Sequence, residues 1–223
     1  MAAAPSSRSA CRLPGSARPK PSGDRRPGPR LEVATRRAWR AWLRAHHRTA
    51  KEIWLVYYRK ASGRPRIAYN DAVEEALCFG WIDSQQKGID PERVGQRFSP
   101  RRPGSPWSEM NKERLRRLIA ARKMTPAGLA AAEGVRLNAG FSLPADIARA
   151  LRENEATWRN YRRFPLSYKR IRIGFIDAAR DRPAEFNKRL RHFLRVTARN
   201  KTFGYVKEFA GTDRPRPATR QRP

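Results

Sequence analysis

The sequence predicts an α+β protein: a small sheet with packed helices, followed by a C-terminal helical subdomain, with disordered termini on either side. Three observations carry this expectation. Residues 53–58, IWLVYY, form an unbroken β-branched and aromatic run too short for a helix, hence a buried strand. Residues 81–86 and 94–99 read as extended segments separated by Gly88 and Asp90-Pro91. From Ser108 onward apolar residues recur at three- and four-residue spacing, the period of helices that bury one face. The expected division is a basic tail over 1–30, an α+β unit over 31–124, a helical unit over 125–210 and a second tail over 211–223.

Taken in order, the ordered chain should begin near Leu31. Thr35 is placed to cap a helix with Ala38, Trp39, Trp42, Leu43 and His46 on one face. After the strand at 53–58, Ser62-Gly63-Arg64-Pro65 makes a turn into a short extended piece at 67–69. Asn70 or Asp71 should cap the next helix, Asp71 with Glu74 forming an Asp variant of the capping box, and Gly80 should stop it. Leu115, Leu118 and Ile119 give the first helix of the later part, and Thr125-Pro126 supply the cap and first residue of the next. Further helices are expected from Pro144 with Ile147 and Leu151, from a Ser167 cap with Ile171, Phe175 and Ala179 inside, and from Pro183 with Phe186, Leu190, Phe193, Leu194 and Thr197 inside.

The chain of 223 residues has 50 Lys and Arg against 20 Asp and Glu, a formal net charge of +30. Six of those charges lie in residues 1–30 and three in 211–223, so +21 remains on the body. Such a charge favours anionic partners and excludes capture of cationic peptides by simple attraction, because like charges within a Debye length of roughly 8 Å repel. The arginine-rich helices 112–123 and 186–201 raise sequence-nonspecific nucleic-acid binding as an alternative, although no helix-turn-helix, zinc module or aromatic sheet motif accompanies them. The two cysteines, Cys11 and Cys78, make no disulfide framework. No apolar run has the length of a membrane span, and the expected location is the cytoplasm.

The chemistry-bearing residues concentrate in 76–84, ALCFGWIDS, and in the proline-fixed loop 98–108. Cys78 is expected in the last turn of a helix, where the negative dipole end and apolar neighbours work against a thiolate; it reads as a packing residue. Trp81 and Asp83 lie two apart on an extended segment and share a side. The predicted ligand site uses Trp81 and Trp107 as walls, Arg101 as a clamp for a carboxylate or phosphate, and Asp83 and Asn111 as orienting groups. An enzyme centred on Cys78, Asp83 and Arg101 is a more distant alternative, and no catalytic residue is assigned. His46 and His47 point to different helix faces and lack a ligand at metal spacing, and no Gly-rich phosphate loop is present, so no metal or cofactor is expected.

These residues also carry a resemblance. Trp42-Leu43 before His46-His47, Ile53-Trp54-Leu55, Glu75-Ala76-Leu77-Cys78-Phe79-Gly80-Trp81-Ile82-Asp83, Phe98-Ser99-Pro100-Arg101, Ser105-Pro106-Trp107-Ser108 with Asn111, and Met124-Thr125-Pro126-Ala127-Gly128 resemble the bacterial YdeI/OmpD-associated, bacteriocin-protection family over roughly residues 31–180. Pro144, Leu151, Trp158, Phe164-Pro165 and Ser167-Tyr168-Lys169-Arg170 are similar to its small helical domain. Phe175-Ile176 and Asp181-Arg182-Pro183 depart from the family pattern. The resemblance implies a role in tolerance to bacteriocins, antimicrobial peptides or stress, without an established chemistry. The expectation is a soluble binding module for a small anionic ligand or an acidic partner.

Overall fold

The computed structural model describes residues 28–204, so the tails 1–27 and 205–223, and Cys11 with them, lie outside the described residues. Strand β1 (Arg30–Glu32) precedes helix α1 (Arg36–His46), strand β2 (Ile53–Tyr58), a single 3-10 turn (Lys60–Ser62), helix α2 (Tyr69–Cys78) and the antiparallel strands β3 (Trp81–Gly88) and β4 (Arg93–Pro100). Helices α3 (Glu109–Ala120) and α4 (Pro126–Ala131) follow, then α5 (Ala145–Arg152), α6 (Glu155–Arg163), α7 (Leu166–Asp177) and α8 (Pro183–Ala198). The sheet order is β1-β2-β4-β3, parallel only between β1 and β2. This is the expected α+β class.

The inner face of the sheet is set by register. Ile53 pairs with Phe98 and Leu55 with Gln96 across β2 and β4, while Asp83 of β3 pairs with Phe98 on the far side of β4. Ile53, Leu55, Phe98 and Trp81 are buried together with Trp39 and Leu43 of α1 and Val73, Ala76 and Leu77 of α2 in one apolar cluster. A second cluster lies among α5 to α8, built on Ile147, Leu151, Tyr161, Tyr168, Ile171 and Phe193. Helix α3 joins the two, meeting α2 on one side and α7 on the other.

Several local expectations hold and their causes are visible. Thr35 accepts from the Ala38 amide at 3.2 Å, and Thr125 caps α4 by accepting from Gly128. Gly80 ends α2 at φ +76°. Thr125 also donates its hydroxyl to the Cys78 carbonyl at 2.6 Å and its amide to the same oxygen at 3.0 Å. Helix α4 is thereby seated on the end of α2.

Other expectations are corrected. Helix α2 starts at Tyr69 with Ala68 at its N-cap and no side-chain cap, because Asp71 and Glu74 are drawn to Arg36 instead of to the helix amides. Residues 67–69 therefore form no strand. Ser167 is buried inside α7, whose N-cap is Pro165. Helix α6 was not anticipated; Asn154 starts it by accepting from the Thr157 amide at 2.8 Å. Strand β1 is too short to show a period, and its pairing with β2 supplies its order. Phe175, expected inside, is 46% exposed, with the Arg189 guanidinium 3.9 Å from its ring centroid.

Candidate functional site

The inner face of the sheet changes character along its length. Under α1 and α2 it is apolar; beyond them Tyr57, Gln96, Gln86 and Asp83 follow on the same side and line an open cleft of about 600 Å³. A bulge between Asp83 and Gln86 makes this possible. Asp83 opposes Phe98 and Gln86 opposes Gln96, so three steps on β3 match two on β4 and both side chains come to one face. The other walls are the uncapped start of α2, with Tyr69 and Asn70, and the segment after β2, with Lys60 and Arg66.

Two buried polar groups face this space. Tyr57 is 5% exposed and its hydroxyl has no hydrogen-bond partner, while Gln96 is 4% exposed. Burial raises the Tyr57 phenol well above its usual range, with Tyr69 and Asp83 adding to the effect and Arg66 opposing it. The phenol is a neutral donor at physiological pH. Tyr69 donates its hydroxyl to Asp83 Oδ2 at 2.6 Å. Behind them Arg114, 5% exposed, donates to Asn70 Oδ1 at 2.7 Å and to Asn111 Oδ1 at 2.8 Å. Desolvation lowers the Arg114 pKa, and Tyr69 and Asp83 oppose that shift. A buried guanidinium thus stands behind the cleft's carboxylate, while Lys60 and Arg66 stand at its mouth.

The five residues expected to form a site do not share one cavity. Trp81 is fully buried, donates its indole to the His47 carbonyl at 3.1 Å and meets Trp42 edge-on; it is core and walls no pocket. Arg101 donates to the carbonyls of Ser105 at 3.0 Å and Pro106 at 2.7 Å and lies 3.9 Å from the Trp107 ring centroid. It braces its own loop through Nη2. Trp107 lines a different hollow beside α7, and Asn111 serves Arg114. Asp83 alone reaches the cleft.

Cys78 is also apart from it. The thiol is fully buried, and burial and the neighbouring Glu75 push its pKa up against the opposing effect of Arg40. Neither Cys78 nor Arg101 lines the cleft that Asp83 reaches. Among the described residues no group of three or more His, Cys, Asp and Glu side chains is arranged to hold a metal, and no helix is long and apolar enough to cross a membrane. Several cations of the basic helix α3 are paired with carboxylates: Lys112 with Glu109 and Arg116 with Glu113 along the helix itself, and Arg117 with Glu74 of α2.

Sequence reasoning missed Tyr57, Lys60, Arg66, Tyr69 and Gln96. The signal was present in Gln96, a polar residue opposite the apolar strand 53–58, but the bulge that sets its companions cannot be read from spacing.

Sheet, covering helices and a helical bundle around a second apolar cluster make an α+β protein with a solvent-open cleft beside its sheet. The comparisons divide at the same place: residues 31–131 match a domain of unknown function (DUF8412), and residues 141–200 match the family described as bacteriocin-protection, YdeI or OmpD-associated. The helical part, α5 to α8, is thus the part of the chain that is similar to the YdeI/OmpD-associated family. The residues 75–83 that carried part of the resemblance lie in the other match, on the sheet half. No curated protein and no solved structure matches the chain.

Proposed function

We propose that the protein is a binding module whose sheet cleft takes a small anionic molecule that also carries a hydrogen-bond donor. The observation that carries this reading is a polar cleft of about 600 Å³ lined by Tyr57, whose buried hydroxyl has no hydrogen-bond partner among the described residues. A buried hydroxyl without a partner costs about 1–3 kcal/mol, which a ligand acceptor would offset. Lys60 and Arg66 at the mouth and the uncapped amides of α2 favour negative charge, and Asp83 favours a donor on the same molecule. The family of the helical part suggests bacteriocin or stress tolerance as the setting, with the protein acting on a small metabolite or an acidic partner. The pairing of α3 cations with carboxylates supports this reading over nucleic-acid binding by that helix.

The test is thermal unfolding with citrate and inorganic phosphate at constant ionic strength. Saturable stabilisation of the unmodified protein that disappears in K60Q/R66Q supports the cleft. Equal stabilisation of both proteins, or none of either, overturns it. A strain carrying K60Q/R66Q should match the deletion strain in bacteriocin sensitivity; full protection by the variant would separate the cleft from tolerance.

A further inference from the structure

The helical half holds a second unexplained group. Arg172, in α7, is 8% exposed, and its Nε has no hydrogen-bond partner. No ion pair or hydrogen bond to another described residue satisfies this guanidinium, whereas most arginines around it have a carboxylate or carbonyl. Arg180 holds Asp146 and Asp177, and Arg189 holds Glu185. Desolvation lowers the Arg172 pKa, with Tyr168 opposing. Taking an arginine out of water without a counter-charge is unfavourable, and aromatic stacking returns only part of the loss.

The surroundings show what would complete it. Arg172 lines a hollow of about 190 Å³ with Phe175, Phe193, Phe203, Lys188 and His192. Its guanidinium is 4.7 Å from the Phe203 ring centroid, and His192 meets Phe203 edge-on at 4.5 Å. Glu185, the acidic residue of this lining, is bonded to Arg189 at 2.8 Å, and that bond holds its carboxyl below the ordinary range. The hollow is therefore cationic at one end and aromatic along its walls. At its edge Gly204 adopts φ +79°, and a Cβ there would stand 3.0 Å from Arg172 Nη2. The backbone passes the guanidinium so closely that a side chain at 204 would push its tip aside.

We infer that the Arg172 hollow is a binding site for a small carboxylate with an aromatic body, the carboxylate engaging Arg172 and the ring packing among Phe175, Phe193 and Phe203. A carboxylate matches the planar guanidinium fork, and the ring matches walls that a bare inorganic anion would leave uncovered. The neighbouring hollow, lined by Trp107, Glu109 and Asp177 as well as Arg172, carries acids of its own and suits an anion less. This site is separate from the sheet cleft and does not rest on the reading of it.

The experiment uses the full chain with sodium benzoate as probe and inorganic phosphate as comparison, at ionic strength held constant with sodium chloride. Binding is followed by the Arg172 Nε–H resonance and by unfolding temperature. Benzoate should shift the resonance saturably, phosphate at least tenfold more weakly. R172M should lose at least tenfold in benzoate affinity while unfolding at the same or a higher temperature, because an apolar chain replaces a buried cation with no carboxylate partner among the described residues. K60Q/R66Q should bind benzoate as the unmodified protein does. Linear, unsaturating shifts, equal binding of phosphate, or unchanged benzoate affinity in R172M would each overturn the proposal. Should R172M fail to fold, K188Q/H192Q decides: a severalfold loss of benzoate affinity supports the site, and an unchanged affinity overturns it.

Discussion

Arg101 lies with its guanidinium 3.9 Å from the ring centroid of Trp107, close enough for a cation–π stack, while it donates to the carbonyls of Ser105 and Pro106. The three contacts close the 101–107 loop on itself. Replacing the side chain by alanine removes the stack and leaves two carbonyls without that donor, so R101A should destabilise the protein by about 1–2 kcal/mol in chemical denaturation. Phosphate and citrate stabilisation in the cleft should survive unchanged. A variant of unaltered stability that loses ligand binding would restore Arg101 as an anion clamp.

Arg36 binds three carboxylates of α2: Asp71 at 2.9 Å, Glu74 at 3.1 Å and Glu75 at 2.5 Å. Glu74 and Glu75 are buried, so removing the cation leaves charge inside with fewer partners, Arg117 and Arg40. R36M should cost about 3 kcal/mol of stability. R36M/E75M should cost less than R36M alone, since the second change removes part of the stranded charge. Denaturant unfolding of the pair measures the difference, and strict additivity would show that Arg36 acts through packing alone.

Cys78 should resist alkylation. With Cys11 replaced by serine so that one thiol reports, iodoacetamide should label the folded protein slowly at pH 7 and at pH 8.5, and quickly after unfolding. The direction of its pKa sets the pH dependence. Burial raises the folded thiol above its unfolded value, so the native state is not penalised below the unfolded pKa and loses stability as pH rises from that value toward the folded one. C78A should flatten that alkaline loss. Rapid labelling of the folded chain at pH 7 would contradict the packing role.

The acid side has its own marker. Arg180 holds Asp146 by two bonds of 3.0 Å and keeps its carboxyl below the ordinary range, tying α5 to the end of α7. A depressed folded pKa contributes stability that is present above the unfolded value and fades as pH falls through the folded one. D146N should therefore lower stability at neutral pH and converge with the unmodified protein toward the acid end of that window. A constant gap at every pH would mean that the bonds, not the charge, carry the effect.

Much of this fold was legible because local chemistry and tertiary packing agree. The run 53–58 has one burial solution, and Thr35, Thr125 and Pro183 start helices where their side chains or rings favour a start. Legibility failed where a distant partner took over a local signal. Asp71 and Glu74 read as a capping box until Arg36, more than thirty residues away, claims both. Trp81, Asp83 and Arg101 read as a constellation because they lie close in sequence, yet the register turns the indole into the core and the loop carbonyls occupy the arginine. Tyr57 and Gln96 sit among residues that look like ordinary strand, and their shared place in the lining of a cleft follows from where the helix cover ends.

Tyr57 gives the sharpest test of that cleft. Its hydroxyl is buried without a partner, so Y57F removes a polar group that the free protein does not satisfy and should raise stability by about 1 kcal/mol. A residue kept only for packing would show no further effect. If the hydroxyl is retained for a ligand acceptor, the same variant should lower citrate or phosphate affinity several-fold, so that stability and binding move in opposite directions. Q96L should likewise lower affinity, because Gln96 lines the same cleft. Thermal unfolding with and without the probe separates the two terms in one experiment. Loss of stability in Y57F with unchanged affinity would return Tyr57 to the core and remove the cleft as a site.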